Sequence, residues 1–345
     1  MTRYLARRVG LSALVVAGVV LLTFVIARVV PGDPATSWAG PHATPAEIAQ
    51  ARHHLGLDRP FVDQIATYFR GIFVGDWGTS IHTHRPVLSD LARAVPTSLE
   101  LVIAALLIAL AVGVPLGLAA ARRQGRPADH AIRGFAVVGV SMPIFWLSLI
   151  LQLVFFNYLH VLPVAGEYGL RFQENPVHAY THVAVLDAIL SANWAMLWSA
   201  LTHLVLPACA IAAYPAGVIA RMVRASVLDI SGETHIQMLR AFGLGERTIF
   251  NRFAMRLAWN PVAQVVALVF AYSLVNTFLV ESIFDWSGLG SYASDSIISL
   301  DTPAIVGITL FVAIVYVFAN LAVDLVQAAL DPRIRLMLGS SCFWY

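Results

Sequence analysis

The 345-residue chain contains no lysine, and all 22 of its basic residues are arginine. A P-loop uses lysine to reach the nucleotide phosphates, so this absence excludes a P-loop ATPase built from the chain alone. Charge of either sign is scarce: 12% of residues are charged against 59% hydrophobic, and mean hydropathy is +0.75. No soluble domain carries that balance on its surface, which places the chain in a bilayer. A formal net charge of +2 and an isoelectric point near 8.6 give no global positive field of the kind that holds nucleic acid. The two cysteines, Cys209 inside an apolar run and Cys342 near the C-terminus, are too few and too poorly placed for a disulfide framework or a zinc site. Neither His-Glu-x-x-His nor Cys-x-x-Cys occurs, so no metal motif is present.

What the chain has in quantity is apolar sequence in long runs. A helix needs about 20 apolar residues to cross the hydrocarbon core. Six stretches approach or reach that length, at residues 9–30, 97–121, 131–158, 199–220, 262–284 and 303–325. Arg3, Arg7 and Arg8 precede the first run in the order of a signal peptide, but the run is too long and lacks a small-x-small cleavage site. It reads as an uncleaved first transmembrane helix. The patch 182–198, broken by Asp187 and Asn193, is expected outside as an interfacial or re-entrant segment. Six spans put both termini on one side. The N-terminus, the 120–133 and 221–258 segments and the C-terminal tail hold fifteen arginines against six acids, and the rest of the chain seven against fourteen. Arginine-rich short loops stay cytoplasmic, so both termini are expected there. The fold class is therefore all-α, a six-helix membrane protein.

Pro115, Pro143, Pro207 and Pro215 fall inside spans. Their freed carbonyls must be re-satisfied by neighbours, so kinked helices packed in a bundle are expected, with packing and gating both open as reasons. Gly113 and Gly117 have the small-xxx-small spacing that permits close helix approach. The 31–96 loop opens with Pro31-Gly32-Asp33-Pro34, carries Gly75-Asp76-Trp77-Gly78, and is long enough for an external cap of short helices. The 285–302 loop has Gly288 and Gly290 for a sharp turn and is expected to dip back toward the bundle. In the cytoplasmic 221–259 segment Ile236, Leu239 and Phe242 recur every three residues. After Gly243 the apolar pattern continues with Ile249, Phe250, Phe253 and Leu257 among Arg247, Arg252 and Arg256. This describes two short amphipathic helices hinged at Gly243–Gly245, whose apolar stripe needs the membrane interface or another protein to cover it.

Two rival classes can be weighed from the residues. An intramembrane hydrolase needs reactive groups facing one another; Ser141 with His203 is a formal pair, but nothing marks Ser141 beyond the nearby proline, and most other histidines lie outside the spans. A proton-coupled secondary carrier would bury a carboxylate or histidine at mid-span. Glu100, Glu281 and Asp324 all fall near span ends instead.

The order and spacing of a series of short motifs then become informative. Arg7-Arg8 and Pro31-Gly32-Asp33-Pro34 flank the first span. Leu55-Gly56-Leu57-Asp58 with Pro60 is followed by Gln64, Tyr68 and Gly75-Asp76-Trp77-Gly78-Thr79-Ser80. Pro96-Thr97-Ser98-Leu99-Glu100-Leu101, Ser141-Met142-Pro143-Ile144-Phe145-Trp146 and Leu162-Pro163-Val164-Ala165-Gly166 come next. Glu281-Ser282-Ile283-Phe284, Gly288-Leu289-Gly290 and Asp331-Pro332-Arg333-Ile334-Arg335 close the frame. Over nearly its entire length the chain resembles the permease subunits of the bacterial dipeptide/oligopeptide/nickel ABC importers, in particular the larger-loop, first permease of the pair. It departs from the family at Phe242, where lysine is common, and at Ser287, where proline is usual.

The resemblance implies a type I ABC importer permease in the bacterial inner membrane, translocating peptides or related small solutes. The implied partners are a homologous second permease, two ATP-binding-cassette ATPases, an external substrate-binding protein and the lipid bilayer, with no nucleic acid. It implies no catalytic residue, metal or cofactor in this chain, since ATP and magnesium belong to the ATPase subunits. The segment Arg240, Ala241, Phe242, Gly243, Leu244, Gly245 and Glu246 would couple to the ATPase. Asp58, Asp76, Trp77, Trp286, Gly288 and Gly290 would meet the binding protein, and Ser141, Pro143 and Glu281 would line the path or gate. The domains would be an N-terminal tail and first helix (1–30), an external subdomain (31–96), a permease core with the coupling loop 221–258 (97–330), and a tail (331–345). The cargo within this class stays open, because the binding protein sets that choice.

Overall fold

The computed structural model describes residues 2–29, 33–40, 42–174 and 180–330. The expectations for Pro31-Gly32, for Asp331 to Arg335 and for the 331–345 tail lie outside the described residues, as does the side chain of Asp324. Among the described residues the structure is helical, with one isolated antiparallel bridge between Thr79 and Pro86. Along the chain run α1 (Thr2–Val29), α2 (Pro34–Ala39), α3 (Pro45–His54), α4 (Phe61–Val74), α5 (Val87–Arg122), α6 (Pro127–Ser141) and α7 (Ile144–Leu151), which continues as a π-helical turn over Gln152–Tyr158. Then come α8 (Leu170–Glu174), α9 (Ala184–Leu190), α10 (Trp194–Ser231), α11 (Thr234–Ala241), α12 (Glu246–Thr248), a π-helical turn over Ile249–Ala254, α13 (Met255–Phe284), α14 (Leu289–Ile298) and α15 (Thr302–Leu330).

Of the described helices, α5, α10 and the continuous run Glu246–Phe284 are long and apolar enough to cross a membrane, and α6 with α7 makes a fourth if the bent pair is one span. Shorter apolar stretches lie in α1 (Leu14–Ile26) and α15 (Thr302–Phe318). The chain is thus a multi-pass helical membrane protein.

Three sequence expectations are corrected. The run 131–158 is not one continuous helix, because α6 and α7 meet at a bend of 103°. Met142, which precedes a proline, is extended (φ −73°, ψ 128°) and ends α6, and Pro143 then occupies the position before the first residue of α7. The second of the two expected amphipathic helices is not separate: α12 passes through a π-helical turn straight into α13. The 285–302 segment is mostly helix rather than loop, since Asp285 in a left-handed conformation ends α13 and Gly288 opens α14.

By contacts the chain forms two compact units, Met1–Ser98 with Ser287–Phe318, and Leu99–Trp286 with Ala319–Tyr345. In the first, α2, α3 and α4 are the short helices expected of the external segment. Thr44 and Glu47 close a capping box at the start of α3. Ile65, Tyr68, Phe69 and Ile72 of α4 pack with Val20 and Phe24 of α1 and Val306 and Leu310 of α15. Asp301 is fully buried at the start of α15. It accepts the Ala304 N–H at 3.1 Å on Oδ1, and the Ser80 hydroxyl at 2.6 Å and the His82 N–H at 3.1 Å on Oδ2.

In the second unit α10 packs on α13 and α6. The Gly113 and Gly117 spacing serves close approach: a Cβ on Gly113 would stand 2.8 Å from Ala216 O, and one on Gly117 2.5 Å from Ala220 O, both on α10. Gly217 does the same against α6, 2.7 Å from Ala136 O. A two-pronged ion pair ties the first turn of α6 to α10, with Arg224 Nε and Nη2 donating to Asp129 Oδ1 and Oδ2 at 2.7 and 2.8 Å. Asp129 is buried there and also accepts the Gly125 N–H.

Candidate functional site

The turn between α11 and α12 is built by its glycine. Gly243 sits at φ +81°, a region open to glycine at little cost. Its N–H donates to Arg240 O at 2.9 Å and the Leu244 N–H to Leu239 O at 3.1 Å, the paired bonds of a Schellman motif, with the accompanying apolar residues supplied by Leu239 and Leu244. Arg240 fastens the turn at both ends. Its Nε and Nη2 donate to the Glu246 carboxylate at 2.6 and 3.2 Å, and its Nη1 to Ser231 O at the end of α10 at 3.0 Å. The carboxylate raises the guanidinium pKa further. Because the pair is largely exposed, it adds only about 0–1 kcal/mol to stability and matters for geometry.

The apolar stripe of this segment is divided between two sides, which corrects the expectation that a membrane or partner covers all of it. Ile236, Ile249, Phe250 and Ala254 are buried with Val223 and Val227 of α10 in the unit's own core. Ala241, Phe242, Gly243, Gly245 and Glu246 are exposed. Phe242 at 73% and Met238 at 54% exposure stand four residues apart, on one helical face.

At the break between α6 and α7 lies a cavity of about 410 Å³ lined by Ser141, Pro143, Tyr214, Tyr272, Ser273 and Asn276 among others. Tyr214 of α10 and Tyr272 of α13 face each other with ring centroids 4.7 Å apart, and Asn276 Nδ2 donates to Tyr272 O at 2.8 Å. Among the described residues, no carboxylate, arginine or histidine lines this cavity. Its polar groups are hydroxyls and an amide, suited to hydrogen bonding with neutral groups such as peptide bonds. The structure brings Ser141 and Pro143, two of the three residues expected at a path or gate, to this cavity together with Tyr214, Tyr272 and Asn276, which the sequence does not mark because a tyrosine or asparagine in an apolar run has no local signal beyond its polarity. Glu281, grouped with Ser141 and Pro143 from sequence, does not line this cavity and is fully buried in α13.

Among the described residues, Ser141 and His203 are not brought together. His203 is absent from the cavity that holds Ser141, and its Nδ1 lies 2.7 Å from Ser199 O one turn back in α10. The Glu100 carboxylate accepts the Ala184 and Val185 N–H groups at 3.1 and 2.9 Å, capping α9.

The six residues assigned to a binding-protein contact divide by burial. Asp58 and Asp76 are exposed, and Trp77 is partly buried in the first unit's core. The His53 side chain, 2.7 Å away, holds the Asp58 carboxyl below its ordinary pKa. Asp76 Oδ1 accepts the Gly78 N–H at 3.1 Å. Trp286, at 1% exposure, and Gly288 and Gly290 are buried, so these three do not present a surface. The left-handed turn at Asp285 folds the chain back, the Trp286 N–H donates to Glu281 O at 2.9 Å, and the indole joins the core of the second unit.

The structure thus offers a bent helix pair beside a cavity lined by hydroxyls and an amide, and a turn that leaves Phe242 and Met238 exposed. Residues 113–336 match the family described as binding-protein-dependent transport system inner membrane component, and residues 1–102 match its N-terminal counterpart. The chain belongs to this family of transport permeases. It is 40% identical over 321 residues to a probable D,D-dipeptide transport system permease protein of Escherichia coli, covering 93% of this chain and 94% of the relative. It is also 36% identical over 335 residues to a dipeptide transport system permease protein of Alkalihalophilus pseudofirmus, covering 97% and 100%. A di/tripeptide transport system permease protein of Pseudomonas aeruginosa is 35% identical over 336 residues, covering 97% and 99%.

Proposed function

We propose that the chain is a peptide-translocating permease subunit of an ATP-binding-cassette importer in the bacterial inner membrane. It spans six times with both termini cytoplasmic, pairs with a homologous second permease, draws on two ATPases that hold ATP and magnesium, and receives cargo from an external binding protein. The names of its relatives support peptides as cargo. The observation that carries the coupling role is the turn 240–246, rigid on its inner side and apolar on its outer side. The external segment 31–96, through Asp58, Asp76 and Trp77, is the part offered to the binding protein. Ser141 and Pro143 line a segment of the path at the α6–α7 break. A cavity free of carboxylate and histidine favours this reading over a proton-coupled carrier.

The test is Phe242→Glu. The side chain is mostly exposed, so the fold is retained, while a charge replaces an apolar anchor that in a protein interface is worth about 2 kcal/mol, or roughly thirtyfold in affinity. Co-purification of the ATPase and ATP-dependent dipeptide uptake in vesicles should fall together. Full uptake in the variant, or wild-type uptake driven by a proton gradient without ATPase, would refute the assignment. Gly243→Arg is the harsher companion, because φ +81° strains any side chain there even though the surrounding space is open.

A further inference from the structure

The external motif residues Gln64, Tyr68 and Asp76 come together around one cavity of about 340 Å³ in the first unit, within the range of roughly 300–1,000 Å³ typical of small-ligand pockets. Gln64, Thr67, Tyr68 and Gly71, spaced along one face of α4, form one wall, and Arg59 and Asp76 add an opposite pair of charges. Gly71 is required for this wall, since a Cβ there would come within 2.4 Å of Asp76 O. The cavity shares no lining residue with the one beside Pro143.

Two of its residues carry buried oxygens without a hydrogen-bond partner, Gln64 Oε1 and Tyr68 Oη. Buried polar atoms in folded proteins are almost always paired. The Gln64 amide cannot be turned to relieve this: its Nε2 donates to Arg59 O at 2.8 Å and to Leu57 O at 3.4 Å, and carbonyls only accept. Gln64 Oε1 therefore calls for an external donor. Asp76, which also lines the cavity, has an exposed carboxylate with one oxygen on the Gly78 N–H, so it can accept from a ligand as well. Tyr68 Oη can give or take, and Arg59 supplies a cation for an anionic end.

We infer that this cavity binds a small zwitterion through its primary ammonium group, which sits among Gln64, Tyr68 and Asp76 while Arg59 faces the anionic end. Two sources share that chemistry, the free ends of a short peptide and the phosphoethanolamine headgroup of a lipid. This site goes beyond the translocation role and does not depend on it.

The experiment is calorimetric titration of the purified full-length permease complex, without binding protein, using Ala-Ala, N-acetyl-Ala-Ala and phosphoethanolamine. Saturable binding of Ala-Ala or of phosphoethanolamine is expected, and which one binds identifies the source. For Ala-Ala, acetylation of the ammonium should weaken binding at least tenfold. Tyr68→Phe should weaken whichever zwitterion binds about tenfold, yet raise the melting temperature of the ligand-free protein, because it deletes an unpaired buried hydroxyl. Gln64→Leu gives a second, independent loss of affinity. A purely structural tyrosine would not show that opposition. Absence of binding by both zwitterions, equal binding of the acetylated peptide, or unchanged affinity in both variants would overturn the inference. ATP-dependent uptake by the same complex reconstituted in vesicles, with its binding protein added back, separates the two readings: uptake without Tyr68-dependent binding defeats only this site, and binding without uptake defeats only the transport assignment.

Discussion

Gly117→Ala adds a single methyl group at the tightest glycine contact between α5 and α10. The added carbon would stand 2.5 Å from Ala220 O and 2.8 Å from the Val223 Cβ, where ordinary contact is about 3.5 Å or more. The carbonyl belongs to the backbone of α10, so no rotamer change relieves the clash, and the two helices must part by about 1 Å. Inserting a methyl group into a packed interface of this kind costs about 1–3 kcal/mol. Against that stands the gain in helix propensity on replacing glycine by alanine, about 0.8–1 kcal/mol. Gly134→Ala isolates the second effect, because Gly134 is also helical, in α6, and a Cβ there meets nothing within 4 Å. Gly134→Ala should leave stability unchanged or higher, and Gly117→Ala should lie about 1–3 kcal/mol below it. The assay is reversible denaturant unfolding of both variants in the same mixed micelles, followed by far-ultraviolet circular dichroism. Equal stability of the two variants would refute the view that Gly113 and Gly117 set the helix separation.

Asp129→Asn should destabilise the second unit by about 1–3 kcal/mol, less than a fully buried pair would lose, because Arg224 keeps 23% exposure; a double-mutant cycle with Arg224→Gln should recover most of that loss. Asp301→Ala removes the acceptor of three hydrogen bonds and the cap of α15, and should cost about 2–4 kcal/mol in thermal unfolding. The Asp58 carboxyl is held low by His53, so its contribution is complete above the ordinary carboxyl pKa and is lost as pH falls through the lowered folded value. Nuclear magnetic resonance should find its midpoint below 3.8, and His53→Ala should return it toward that value.

The apolar runs disclosed which segments are helical, because bilayer thickness writes directly into sequence length. The break at Pro143 was harder to read. Pro207, Pro215 and Pro261 carry the same local signal and stay inside continuous helices, so the difference rests on Met142 turning extended, which the residues around the proline do not announce. The site of the turn between α11 and α12 was legible in Gly243 and Gly245. The division of its apolar residues was not, since Ile236 and Phe242 look alike until Val223 and Val227 supply a core for one of them. Trp286 illustrates the same limit from the other side: an aromatic beside a glycine turn reads equally as an exposed anchor or a buried plug, and the left-handed turn at Asp285 makes it the plug.

The turn around Gly243 leaves very little slack in the chain. On one side Arg240 is bonded to the last turn of α10 through Ser231, and on the other Glu246 begins a helix that runs without interruption to Phe284. In the proposed coupling role, a load applied at Phe242 would therefore pass to α10 and α13 as to two shafts of one crank. Those shafts carry Tyr214 and Tyr272, whose rings are tilted 34° with centroids 4.7 Å apart, so a relative movement of the two helices would alter the gap between two phenol rings.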